Sequence, residues 1–140
     1  MNASTELLKI KAELSLKNNE DYNKERAVID LLENEFPMMQ LQLEKVENSC
    51  SIYKTMECFA DVTKELIHSG NFKEVKHCFN IAEKMLRMGN CHVKNAIENV
   101  YLFSISRIIS MANPVSYTVK NLLTESLKKE YNRQICASGI

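Results

Sequence analysis

The sequence predicts an all-α single domain of six to seven antiparallel helices over residues 1–140, with a core from about residue 5 to 136. Three observations carry this. The chain of 140 residues holds only three glycines and two prolines, which leaves few places for the tight turns that β-hairpins need. Its apolar residues recur three and four positions apart, the spacing of one helix face. Two Gly-Asn dipeptides, Gly70-Asn71 and Gly89-Asn90, fall between such stretches, where one helix stops and the next starts. With 45% hydrophobic and 26% charged residues, the chain has the balance of an ordinary globular domain. At this length folding buries roughly 68–70% of the unfolded surface, so one core suffices without disulfide or metal.

Leu7, Ile10 and Leu14 mark a first helix, with Ser4 or Thr5 as its N-cap. The polar run Lys17 to Asp21 interrupts the pattern. A second stripe at Val28, Leu31, Leu32 and Phe36 ends at Pro37, which disfavours a helical residue before it. Pro37 also suits the first turn of a short third helix over residues 37–47, burying Met39, Leu43 and Val46. The fourth helix, residues 51–69, turns Ile52, Met56, Phe59, Ala60, Thr63, Leu66 and Ile67 inward. Gly70 supplies a left-handed stop, and Asn71 caps the fifth helix with Glu74 three positions on. That helix buries Val75, Cys78, Phe79, Ala82, Met85 and Leu86, and Gly89-Asn90 is expected to repeat the same turn. The sixth helix is apolar nearly all round through Val100, Tyr101, Leu102, Phe103, Ile105, Ile108 and Ile109, the signature of a central helix. Asn113-Pro114 ends it. Ser116 then caps a seventh helix that turns Val119, Leu122, Leu123, Leu127, Tyr131 and Ile135 inward.

The two Gly-Asn turns are 19 residues apart, and each is followed by a Val-Lys dipeptide, Val75-Lys76 and Val93-Lys94. Such short turns set neighbouring helices antiparallel, and a pair of them makes a unit of about 40 residues. Two architectures fit: an irregular bundle, or a short right-handed stack of the HEAT or armadillo kind.

The 18 basic and 18 acidic side chains cancel, but not evenly. Residues 1–70 hold 13 acids and 8 bases, a balance of −5, while residues 71–140 hold 5 acids and 10 bases, a balance of +5. A pure nucleic-acid binder would present an unopposed basic field, so nucleic acid is not the expected partner. The N-terminal stretch has no basic start followed by a continuous apolar run, and the most apolar segment, residues 100–112, contains Arg107. Neither a secretory signal nor a membrane span is expected, which points to the cytoplasm. There the five cysteines, Cys50, Cys58, Cys78, Cys91 and Cys136, are expected to be reduced core thiols.

A resemblance is carried by Glu35-Phe36-Pro37, by Phe59 to Val62, and by Ser69-Gly70-Asn71 through Met88-Gly89-Asn90 to Val93-Lys94-Asn95-Ala96-Ile97. This pattern of Phe-Pro, helix, Gly-Asn, helix, Gly-Asn resembles a family of short all-helical bacterial proteins of unknown function, over roughly residues 28–130. Some such proteins sit beside polymorphic toxins. The resemblance therefore implies an immunity-like binding role and no catalytic residues.

The residues themselves offer little chemistry. His68, His77-Cys78, Cys91-His92 and the pair Cys50 and Cys58 lack the close spacing of zinc ligands, so no metal is expected. With three glycines there is no Gly-x-Ser-x-Gly elbow and no phosphate loop, so neither an enzyme nor a cofactor is expected. Lys120, Lys128, Lys129 and Arg133 make the last helix basic without aromatic platforms for bases. Two groups remain as candidate partner-binding residues. Glu57, Asp61 and Glu65 stand four apart, aligned along the helix face opposite the apolar stripe, an acidic ridge. Asn95 and Asn99 are also four apart on the sixth helix, where they either cap a neighbouring helix end or open onto a groove. The expected function is a non-catalytic protein-binding domain of the immunity or antitoxin type, neutralising a toxin by surface complementarity. The alternative is a helical-repeat scaffold or regulatory module in a bacterial cytoplasmic complex. A homo-oligomer stays open under either.

Overall fold

A computed structural model describes residues 9, 20, 23–44 and 51–138, so the first expected helix and Cys50 lie outside the described residues. Every regular element among them is helical. Residues 23–35 form α1, followed by α2 (Met38–Glu44), α3 (Ile52–His68) and α4 (Phe72–Met88). A continuous run over residues 91–109 follows, made of α5 (Cys91–Ala96), a π-helical turn (Ile97–Leu102) and α6 (Phe103–Ile109). Then come α7 (Pro114–Leu122) and α8 (Glu125–Ser138). Counting residues 91–109 once, the described residues hold seven helices.

Local capping accounts for most of the boundaries. Ser51, Asn71, Asn90 and Asn113 cap α3, α4, α5 and α7, each side chain accepting from the backbone N–H three residues on. After α3, Gly70 takes φ 76°, and the N–H groups of Gly70 and Asn71 bond back to Ile67 and Leu66 at 3.1 and 2.9 Å. This is the paired-bond stop that a left-handed glycine permits. The second Gly-Asn turn does not repeat it. Gly89 is extended, with φ −86° and ψ 168°, and its N–H bonds to Met85 O. Glycine is required there for space, because a Cβ would overlap the Val93 side chain.

The central run behaves as the apolar pattern predicts, with a correction. Val93, Ile97, Tyr101, Ile105 and Ile109 are all buried, one every four residues. A plain α-helix turns 100° per residue and would carry such a row about 40° round the axis at each step. The wider π turn takes back part of that drift and keeps the row on one face. Gln134 of α8 donates to the Glu98 carbonyl at 2.8 Å, engaging a backbone group within that turn. Phe103, expected inside, is 59% exposed, so the helix is not enclosed all round.

Two expectations for the last helix also fail. Ser116 is not a cap: it is buried and its hydroxyl donates to Ile108 O, while Asn113 caps α7 and Pro114 takes the first helical position. The expected single helix is broken at Leu123, whose ψ of 137° leaves the helical region. Glu83 of α4 accepts from the Ser126 N–H at 3.3 Å, so a side chain from another helix serves the start of α8. The inward face nevertheless continues through the break, with Val119, Leu123, Leu127 and Tyr131 buried.

One apolar cluster runs from Val28 to Tyr131. Helix α3 packs against α2, α4 and the central run, while α4 reaches α7 and α8 as well. With the central run counted once, these contacts join helices no more than three apart in chain order. At its centre Phe59 stacks on Tyr101 at 4.3 Å, and Phe36 tilts against Phe59 at 5.4 Å. The Tyr101 hydroxyl lies 2.9 Å from Thr63 Oγ1, which in turn donates to Phe59 O, so the buried phenol is partnered.

This centre makes the fold alkali-sensitive. Burial pushes the Cys78 thiol up to about 11 and the Tyr101 phenol well above its usual range. Below the unfolded thiol's value of about 8.5 both states keep the proton, and stability is unaffected. Above it the unfolded chain releases a proton that the fold retains, so stability falls as pH rises toward 11. The Cys78 contribution to that loss is expected to be about 3 kcal/mol by pH 11. Urea midpoints measured from neutral to alkaline pH should fall less steeply for Cys78→Ala than for the parent; parallel slopes would contradict the assignment.

Candidate functional site

The acidic ridge rests on α3, whose opposite face is locked into the core by Ile52, Met56, Phe59, Thr63 and Ile67. Glu57, Asp61 and Glu65 are all exposed, as their four-residue spacing predicts. Glu57 and Asp61 border a shallow cleft between α2 and α3 that Gln42, Leu43, Lys54 and Cys58 complete. Glu65 lies further along the helix, outside the cleft lining. Within the cleft the Cys58 thiol donates to Gln42 Oε1 at 2.9 Å. Burial and the neighbouring Asp61 charge push that thiol above its usual range, so it stays neutral and a poor nucleophile. Asp30, Glu35, Glu98 and Glu130 form ion pairs with Arg26, His77, Lys94 and Arg133; among the described residues none of the three ridge carboxylates is in such a pair.

Asn95 and Asn99 line none of the clefts described at this end of the fold. Both are exposed, and neither is the N-cap of α3, α4, α5 or α7. The nearby groove is lined by Lys94 and Glu98 instead, one position earlier and so about 100° round the helix. This groove lies between α4, the central run and α8. Arg133 holds Glu130 through two bonds of 2.6 and 2.9 Å, which with Gln134 draws the Glu130 carboxyl below its usual range. Glu98, with only Lys94 at 4.0 Å, is pushed up by burial and by the Glu130 charge. Of the basic residues read from the last helix, Arg133 is held by Glu130 and Lys120 lies 5.8 Å over the Tyr131 ring, while Lys128 and Lys129 are exposed.

A family model described as Domain of unknown function (DUF7674) matches residues 29–137. The chain belongs to this family. No curated protein and no solved structure matches it.

The matched span of the DUF7674 domain takes in the ridge, the central run and the whole of α4 and α7. It also covers the segments on which the resemblance rests. Of its cysteines, Cys78 alone is a fully buried thiol among the described residues; Cys58 is half-buried, and Cys91 and Cys136 are exposed. The expectation of five core thiols is therefore corrected. Cys91 opens α5 and Cys136 lies in the last turn of α8, positions where apolar spacing does not reach the core. No three His, Cys, Asp or Glu side chains come together as a metal cluster among the described residues. No described helix is long and apolar enough to cross a membrane. Reading by periodicity missed one surface: Met111, Val115 and Tyr117 are exposed around the turn from α6 to α7.

Proposed function

We propose that this DUF7674 domain is a non-catalytic protein-binding domain of the immunity or antitoxin type, acting in the bacterial cytoplasm. Its acidic ridge covers a basic patch on the partner. The observation that supports this is the alignment of Glu57, Asp61 and Glu65 in one exposed row on α3, without an ion pair among the described residues. Four residues advance a helix by about 6 Å, so the three charges form a row about 12 Å long on a helix held rigid by its buried face. Like charges at this spacing repel by a few tenths of a kcal/mol per pair, a cost that an opposing basic surface removes on binding.

Glu57→Lys combined with Asp61→Lys is expected to leave the melting temperature nearly unchanged, because both side chains are exposed. Association with partners recovered from the host cell should slow by about tenfold at low salt, since such charges act mainly on encounter. The difference should shrink once the Debye length falls to about 8 Å at physiological ionic strength. The same partners binding at the same rate would make the ridge a solvated face. Asn95→Ala with Asn99→Ala, assayed alongside, tests the second candidate surface. A ridge partner without toxic activity would favour the scaffold or regulatory reading.

A further inference from the structure

From Asn99 to Thr124 the chain contains no Asp or Glu, and its only charged residues are Arg107 and Lys120. The fold turns the middle of that stretch into a corner. Helix α6 stops at Ile109, the chain reverses through bonds from Met111 N to Ile108 O and from Asn113 N to Met111 O, and α7 begins at Pro114. The corner is held from inside by the Ser116 hydroxyl on Ile108 O and by buried Ile109. Its outer side chains have no such anchor: Met111 is 60% exposed, Val115 43% and Tyr117 71%.

Two hollows flank this projection. One lies beside Met111, Pro114, Tyr117 and Lys120, the other beside Ile67, His68, Met111 and Val115. No carboxylate lines either hollow, and Arg107 is exposed four positions before Met111. An exposed Tyr and Met beside apolar hollows have the composition of a binding hot spot. The charges of this segment, Lys120 in the lining of the first hollow and Arg107 one helical turn before Met111, are both basic, which selects the occupant.

We propose that the α6–α7 corner is a second docking surface, for a protein segment that carries apolar anchors among acidic side chains. The anchors fill the two hollows and the carboxylates meet Lys120 and Arg107. A second copy of the chain fits less well, because a two-fold contact places the same patch on both sides and opposes like charges. A lipid surface fits less well too, since two bases supply little attraction to anionic headgroups and concave hollows suit side chains. The hollows share no lining residue with the acidic ridge, and the proposal does not depend on the ridge.

The test uses the full chain and two matched arrays of peptides of about 14 residues, or four helical turns. Both arrays vary Leu, Phe and Met anchors; one carries Asp and Glu between them, the other Lys and Arg. The acidic array is expected to yield saturable binders, measured by fluorescence anisotropy, with affinities at least tenfold above their basic counterparts. Tyr117→Ala and Met111→Ser should each weaken them about tenfold with unchanged melting temperature, and Lys120→Glu should remove the preference for acid. Glu57→Lys with Asp61→Lys should have no effect on them. Binding confined to the basic array, or no binder in either, overturns the proposal. So would a Tyr117-dependent dimer in sedimentation, or Tyr117-dependent capture by phosphatidylglycerol vesicles, which would assign the corner to a second copy or to a membrane.

Discussion

Ile105→Asp is expected to leave the chain without a cooperative fold. Ile105 is fully buried in the row Val93, Ile97, Tyr101, Ile105 and Ile109, which the π turn helps to keep facing the core. An aspartate there would be a charge without a partner, and its desolvation penalty rivals the whole margin of about 5–15 kcal/mol by which a domain is stable. The control lies two residues away: Phe103 is exposed, so Phe103→Asp should melt as the parent does. Circular dichroism melts of the two variants decide the matter. A native transition for Ile105→Asp, or an unfolded Phe103→Asp, would show that the central run is rotated from the position described.

Gly89→Ala should destabilise more than Gly70→Ala, although each glycine precedes an asparagine between two helices. At Gly70 the obstacle is the positive φ of 76° with open space around it, which costs an alanine about 1 kcal/mol. At Gly89 the backbone angles suit any residue, but a Cβ would meet the buried Val93 side chain and come within 2.9 Å of Met85 O. Val93 cannot retreat, since its own N–H is bonded to the Asn90 cap at 3.0 Å. Overpacking of this kind costs about 1–3 kcal/mol, or several degrees in melting temperature. Asparagine separates the two causes, because it tolerates the left-handed region: Gly70→Asn should be nearly neutral, and Gly89→Asn as damaging as alanine. Equal tolerance of asparagine at both positions would mean that the two turns are alike.

The candidate site was partly legible for a related reason. Four-residue spacing aligns Glu57, Asp61 and Glu65 on any helix, and the opposite apolar stripe settles which way they face. Asn95 and Asn99 share that spacing, yet the groove beside them belongs to Lys94 and Glu98, because α4 and α8 approach from the neighbouring side. The exposed corner at Met111, Val115 and Tyr117 carried one signal that could have marked it, the absence of any acid between Asn99 and Thr124.

What the sequence by itself determined is the all-helical class, the inward residues of α3 and α4, and the stop and caps at Gly70, Asn71 and Asn90. All of these depend on neighbours within a turn or two, so spacing and capping chemistry suffice. Tertiary structure decided the rest through groups distant in the chain. Gln134 reaches the Glu98 carbonyl within the π turn, the Glu83 carboxylate serves the start of α8, and Val93 leaves no room for a side chain at Gly89. A local pattern records which residues prefer to be buried, but only packing determines whether another helix arrives to cover them, and at Phe103 and Tyr117 none does.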